Sequence, residues 1–169
     1  LCSNATATQT PPKRAIESLT FSNTQTWSPH YLQWAETAAD IPEITLPDAP
    51  ENTSISTRKE LALLHSHQKT RTEKNIEEIL QEINIQDAFF GQKTLAALID
   101  ESHRPNTFSL INVVIQFESP QIMKQKKIHD RVRPSWLDPT LKPVIAVPPH
   151  PAYPSGHATQ AYLRALLLS

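Results

Sequence analysis

Glycine is nearly missing from this sequence: 169 residues contain two, Gly91 and Gly156. Tight β-hairpin turns depend on residues that accept positive φ, so a hairpin-built β architecture is disfavoured. Cysteine occurs once, as Cys2, which excludes an intrachain disulfide and leaves the redox compartment unread. No stretch reaches the ~18 consecutive apolar residues of a membrane span. Neither sign of charge dominates: 16 Lys and Arg face 17 Asp and Glu, a net charge of -1 with histidine neutral. There is no global pull towards nucleic acid or an anionic membrane, so any anion site has to be local.

Proline is abundant, with 15 copies, and most of them fall between residues 11 and 50 or between 134 and 154. The remainder is left free to be helical. Residues 1–55, rich in Ser, Thr and Pro, read as an irregular N-terminal arm with one short helix near His30–Ala39. Thr57 and Glu60 have the spacing of a capping box and predict a helix behind them, with Leu61 and Leu64 opening its apolar face. Ile76, Ile79, Leu80 and Ile83 resume that face, and the polar stretch His65–Asn75 between them is either a solvated surface or a break. A short helix is predicted over Lys93–Glu101, and another after a cap at Asn106, burying Leu110, Ile111, Val114, Ile115 and Phe117. Pro120 suits the first turn of a further helix running to about Arg131. Seven prolines between 134 and 154 make a stiff connector. Ser155 caps a last helix to Leu168, with Ala161, Tyr162, Ala165 and Leu166 on its apolar side. The expected class is all-α, one domain.

Two segments carry chemistry. Lys124–Pro134, "KQKKIHDRVRP", gathers five Lys or Arg and His129 around a single acid, Asp130. Lys126 and Arg133 are seven apart, about two helical turns, so both can project to one side. A compact ammonium and a planar guanidinium suit a tetrahedral oxyanion. The second segment is "HPAYPSGHAT", from His150 to Thr159. A helix that begins at Ser155 presents unpartnered first-turn amides and the positive end of its dipole to an anion. Gly156 lets the anion approach its amide, the Ser155 hydroxyl adds a donor, and His157 is placed to protonate a leaving oxygen.

Lys126, six residues, Arg133-Pro134, about twenty residues, then Pro154-Ser155-Gly156-His157 together resemble the first two of three signature motifs of one superfamily. It comprises the type-2 phosphatidic acid phosphatases, the bacterial class A acid phosphatases and the vanadium-dependent haloperoxidases. The likeness covers about residues 120–160. It implies a helical-bundle domain of which residues 56–169 are the N-terminal part. It also implies that Lys126, Arg133, Ser155 and the Gly156 amide hold phosphate or vanadate oxygens, and that His157 is the catalytic acid. His150 and Asp130 would be supporting residues. In the haloperoxidase branch vanadate is the cofactor and the substrates are halide and peroxide; in the phosphatase branch no cofactor is needed and the substrate is a small phosphorylated compound. His150 stands at a position that is histidine in bromoperoxidase-like members.

The third motif, Ser-Arg-x5-His-x3-Asp, supplies the histidine that attacks phosphorus or ligates vanadium, and this chain does not contain it. The chain also stops on the apolar run "AYLRALLLS" without a terminating residue. The expectation is an N-terminal piece of a longer polypeptide, inactive alone, whose partner is the missing C-terminal segment or another chain. An acid-phosphatase-type hydrolase is the leading reading, a vanadium haloperoxidase the second, and a non-catalytic anion- or partner-binding member the third. Export to a periplasmic or extracellular compartment is expected, with no nucleic-acid partner and no membrane span. His65 and His67, two apart, diverge on a helix and are not expected to share a metal. Trp27, Tyr31 and Trp34 read as packing for the arm.

Overall fold

A computed structural model describes residues 16–37, 45–81 and 102–168. Among these residues every regular element is helical and there is no strand, in agreement with the all-α expectation. The elements are α1 (Phe21–Thr24), α2 (Pro29–Thr37), α3 (Ile55–Thr70), α4 (Glu73–Gln81), α5 (Pro105–His129), α6 (Pro134–Leu137) and α7 (Gly156–Leu167). The predicted helix over Lys93–Glu101, and Ile83, lie outside the described residues.

The centre of the molecule is α5, with α2 packed on one side and α7 on another. Ala35 of α2 meets Ile122 and Met123 of α5, and Trp27, Tyr31 and Trp34 close over them. The aromatic trio is therefore packing, as its sequence suggested. Helix α5 is a single helix of 25 residues, where a break had been expected, and Pro120 sits in its interior. The ring costs the Gln116 carbonyl its helical partner, at about 3 kcal/mol. Burial of Ile122, Met123 and the aromatic rings against them offsets this, at roughly 1.5–3 kcal/mol for each large side chain. The helix begins at Pro105 after Arg104, so Asn106 is not its cap. Of its predicted core, Ile111 is buried at 1% exposure, whereas Leu110 and Phe117 are 49% and 65% exposed.

Helix α5 ends two residues earlier than expected. Asp130 adopts the left-handed conformation (φ 43°) and its amide donates to the Lys126 carbonyl. Aspartate tolerates this region better than most residues, so it can stop a helix where no glycine is present.

Helix α3 is capped by Ser54, whose Oγ accepts from the Thr57 amide at 3.1 Å. Thr57 is thus inside the first turn, buried, with its hydroxyl donating to the Glu51 carbonyl. The capping box at Thr57–Glu60 does not form, because Ser54 is already in place three residues earlier; Glu60 instead accepts from Arg131 at 2.6 Å. The polar stretch His65–Asn75 resolves into a break. Helix α3 stops at Thr70, and the Thr72 and Asn75 side chains cap each other's amides at the start of α4. No helix among the described residues is long and apolar enough to cross a membrane.

Candidate oxyanion-binding site

The site is built where the end of α5, the connector and the start of α7 converge. Lys126 lies in the last turn of α5 and is 1% exposed. Its Nζ donates to the Pro151 carbonyl at 2.9 Å and to the Pro154 carbonyl, the atom group immediately before Ser155. The Tyr153–Pro154 peptide is cis. Arg133 is not on α5 at all; it is the N-cap of α6, beyond the Asp130 turn. The helical argument for pairing it with Lys126 is therefore corrected: a left-handed turn, not a shared helix face, brings the two cations together. Arg133 Nε donates to the His150 carbonyl at 2.8 Å, and its Nη2 lies 2.9 Å from His150 Nδ1. Guanidinium only donates, so Nδ1 accepts when it pairs with Arg133, while the Pro151 carbonyl, 3.2 Å from the same Nδ1, competes for it as an acceptor. The Tyr31 ring packs edge-on to His150, with centroids 4.9 Å apart.

Helix α7 starts as its sequence predicts. Ser155 is the N-cap, and its Oγ accepts from the Ala158 amide at 3.3 Å. The first intrahelical bond runs from the Thr159 amide to the Ser155 carbonyl, so the amides of Gly156 and His157 precede the ladder. A Cβ on Gly156 would meet only Ile122 Cγ2, at an ordinary 3.9 Å, and its φ is not positive. Neither packing nor backbone conformation demands glycine here. Ser155 and His157 are exposed.

The electrostatics are one-sided. Burial, and then the charge of Arg133, lower the Lys126 ammonium to about 7, against two carbonyl acceptors that favour the charged form. Burial lowers Arg133 to about 10, so it stays cationic. Burial, Lys126 and Arg133 push His150 down to about 4, with a smaller contribution from the nearby His157 charge, so its ring is neutral. Among the described residues the ion pairs are His65–Asp138, Lys74–Glu78, Lys127–Glu36 and Arg131–Glu60. Neither Lys126 nor Arg133 has a carboxylate partner among the described residues. Lys126 is braced at the turn that leads into α7 and Arg133 at His150 in the connector, with no counter-charge on either among the described residues.

Asp130 is placed elsewhere in function. Its carboxylate accepts from the Ser22 amide (3.1 Å) and hydroxyl (2.8 Å), and its carbonyl accepts from Phe21 N at 2.8 Å. Its carboxylate anchors α1, while its backbone makes the turn that leads to Arg133. His65 Nε2 is 2.7 Å from Asp138 Oδ2, and that bond, with Thr140, lowers the Asp138 carboxyl to about 2. Among the described residues no three His, Cys, Asp or Glu side chains gather as a metal site.

Several partners escaped the sequence reading. The carbonyls that hold Lys126 and Arg133 belong to Pro151, Pro154 and His150, and backbone acceptors leave no mark on residue identity. Asp138 was findable, since Asp-Pro-Thr is a turn signal and the Thr140 amide donates to Asp138 Oδ1 at 2.9 Å. No protein-family profile and no curated protein matches the chain.

Proposed function

We propose that the turn Pro154–His157, with Arg133 and Lys126, binds a tetrahedral oxyanion, and that the chain belongs to a phosphate-ester hydrolase of the acid phosphatase type with a helical bundle of that superfamily. One observation carries this reading: buried Lys126 and half-buried Arg133, each hydrogen-bonded to backbone carbonyls and with no carboxylate partner among the described residues, lie by the turn that opens helix α7. Burying unpaired like charges is costly, and an incoming anion would relieve that cost. The superfamily resemblance stands beside this geometry as a second, independent support.

In this reading Arg133 offers its remaining guanidinium donors to the phosphoryl oxygens, and His150 holds it in place. Two of the three Lys126 donors are committed to carbonyls, so it contributes chiefly charge and the shape of the turn. The Gly156 amide is approachable because no side chain covers it. His157, exposed on the first turn of α7, gives a proton to the departing alcohol oxygen as the P–O bond breaks. The histidine that attacks phosphorus comes from outside this chain, so the chain alone is expected to bind and scarcely turn over. Vanadate has the same shape and charge and fits the same donors, where it would supply peroxide activation; this is the haloperoxidase alternative. A non-catalytic anion-binding role is the third.

The test is calorimetric titration with inorganic phosphate and with vanadate. Both should bind, and Arg133→Met should weaken them about ten- to a hundredfold, the scale of one or two charge-assisted hydrogen bonds. Absence of binding in the unmodified chain would remove the proposal. With the third motif supplied, nitrophenyl phosphate hydrolysis supports the phosphatase, vanadate- and peroxide-dependent bromination the haloperoxidase, and neither activity the binding role.

A further inference from the structure

Arg133 belongs to two places at once. Besides the cationic cluster it lines a cavity of about 610 Å³ between α3, α4 and the connector. That volume lies within the ~300–1,000 Å³ of small-molecule sites. Its walls are mostly aliphatic: Leu64 from α3, Ile79 from α4, and Leu141, Ile145 and Val147 from the connector. Its other charged side chains are Arg71 and Lys142, and no aspartate or glutamate lines it. Arg71 Nη1 donates to the Lys142 carbonyl at 3.2 Å and Lys142 Nζ to the Pro139 carbonyl at 3.3 Å, so each keeps its positive charge unneutralised.

The Gln68, Thr70 and Asn75 side chains of the wall are engaged by the protein, which leaves His67 and Ser135 as its other polar side chains. Gln68 accepts from the Lys142 amide and donates to the Thr140 carbonyl at 3.3 Å. The Asn75 side-chain oxygen accepts from the Thr72 amide and hydroxyl at 3.1 and 2.9 Å. Few groups remain to recognise hydroxyls, so a sugar would lose water contacts there without replacing them. An apolar group loses nothing and gains burial. Charge excludes a cationic ligand. What fits is an anion with an apolar organic substituent.

We infer that this cavity is the leaving-group subsite of the oxyanion centre and takes the aryl or alkyl portion of a phosphate monoester whose phosphoryl group sits on Arg133. The inference rests on the proposed oxyanion reading and names its substrate class. Arg71 and Lys142 at the walls add attraction for the whole anion without fixing its orientation.

The experiment titrates the full chain with three probes: inorganic phosphate, phenylphosphonate and a hexose phosphate. Phenylphosphonate should bind at least about tenfold more tightly than phosphate, the scale of burying one small ring, and the hexose phosphate no more tightly than phosphate. Ile145→Asp and Ile79→Asp, placed on separate walls and checked for native helicity by circular dichroism, should each bring the phenylphosphonate-to-phosphate ratio towards one. Arg133→Met should weaken both anions. Equal affinity for phosphate and phenylphosphonate in the unmodified chain would overturn the subsite while leaving the oxyanion centre standing, and so would preference for the hexose phosphate. Phenylphosphonate binding untouched by Arg133→Met would show that the cavity and the centre are separate. Failure of all three probes to bind would overturn the oxyanion reading itself.

Discussion

Along the second half of α5, two sets of polar side chains are buried on neighbouring turns, one facing α7 and one facing the connector. The first set is Glu118, Gln121 and Gln125, covered by Gln160 and Arg164 of α7, each less than one-tenth exposed. It contains both signs of charge. Burial raises the Glu118 carboxyl, and the Arg164 charge draws it back. The second set is Lys126 with Arg133 and His150, where every ionisable member is basic. A region that contains both signs can balance its own charge, even though both Glu118 carboxylate oxygens and the Gln121 side-chain amide find no hydrogen-bond partner among the described residues. A region of one sign, held rigidly by carbonyls, is complete only with an anion from outside. That contrast is the reason for placing function at the end of α5 and not in its middle.

The contrast can be broken most forcefully in the balanced region. Removing one member, by Glu118→Leu or Arg164→Leu, strands a buried charge and should cost about 3–5 kcal/mol in urea unfolding, whereas the double replacement should recover most of it. Additive losses would mean that the two charges do not compensate each other.

The one-signed region should show itself through pH. Lys126 is lowered to about 7 in the fold from 10.5 in the free side chain, so between these values the unfolded chain holds one more proton. Stability therefore rises with pH across that window, by on the order of 2 kcal/mol between pH 7 and 9, and is lowest where the folded ammonium is fully charged. Lys126→Met should flatten the slope in thermal unfolding followed by circular dichroism. Phosphate, which favours the ammonium, should oppose the same slope by taking up protons on binding.

The smallest effect is expected at Asp130, whose carboxylate serves α1. Asp130→Asn, which keeps a residue tolerant of the left-handed turn and weakens only the carboxylate contacts with Ser22, should cost about 1 kcal/mol, the scale of a lost hydrogen bond, and leave the phosphate affinity of the site as it was. A fall in affinity comparable to that of Arg133→Met would return Asp130 to the anion centre.

The apolar surfaces show where sequence pattern and structure part. Tyr162 and Leu166 were placed on the packed face of α7, but they are 67% and 55% exposed, and Gln160 and Arg164 point inward instead. Both faces repeat at helical spacing, so periodicity identified the helix and could not say which side would be covered. The same ambiguity misassigned Leu110 and Phe117. Pro120 misled for a related reason: its local cost is real, and only packing by α2 and α7 makes a continuous helix the better outcome.

Local chemistry was sufficient for much of this protein. The scarcity of glycine and the placing of proline determined an all-helical chain with an irregular connector, Ser155 determined the start of α7, and residue type made Lys126, Arg133 and His157 candidates. These depend on interactions within a few residues, which a sequence displays directly. The tertiary structure alone decided that Asp130 would turn the chain so that Arg133 meets Lys126, that backbone carbonyls would hold both, and that no carboxylate among the described residues would reach them. Those outcomes depend on contacts between segments far apart in the chain, and no spacing rule encodes which segments meet.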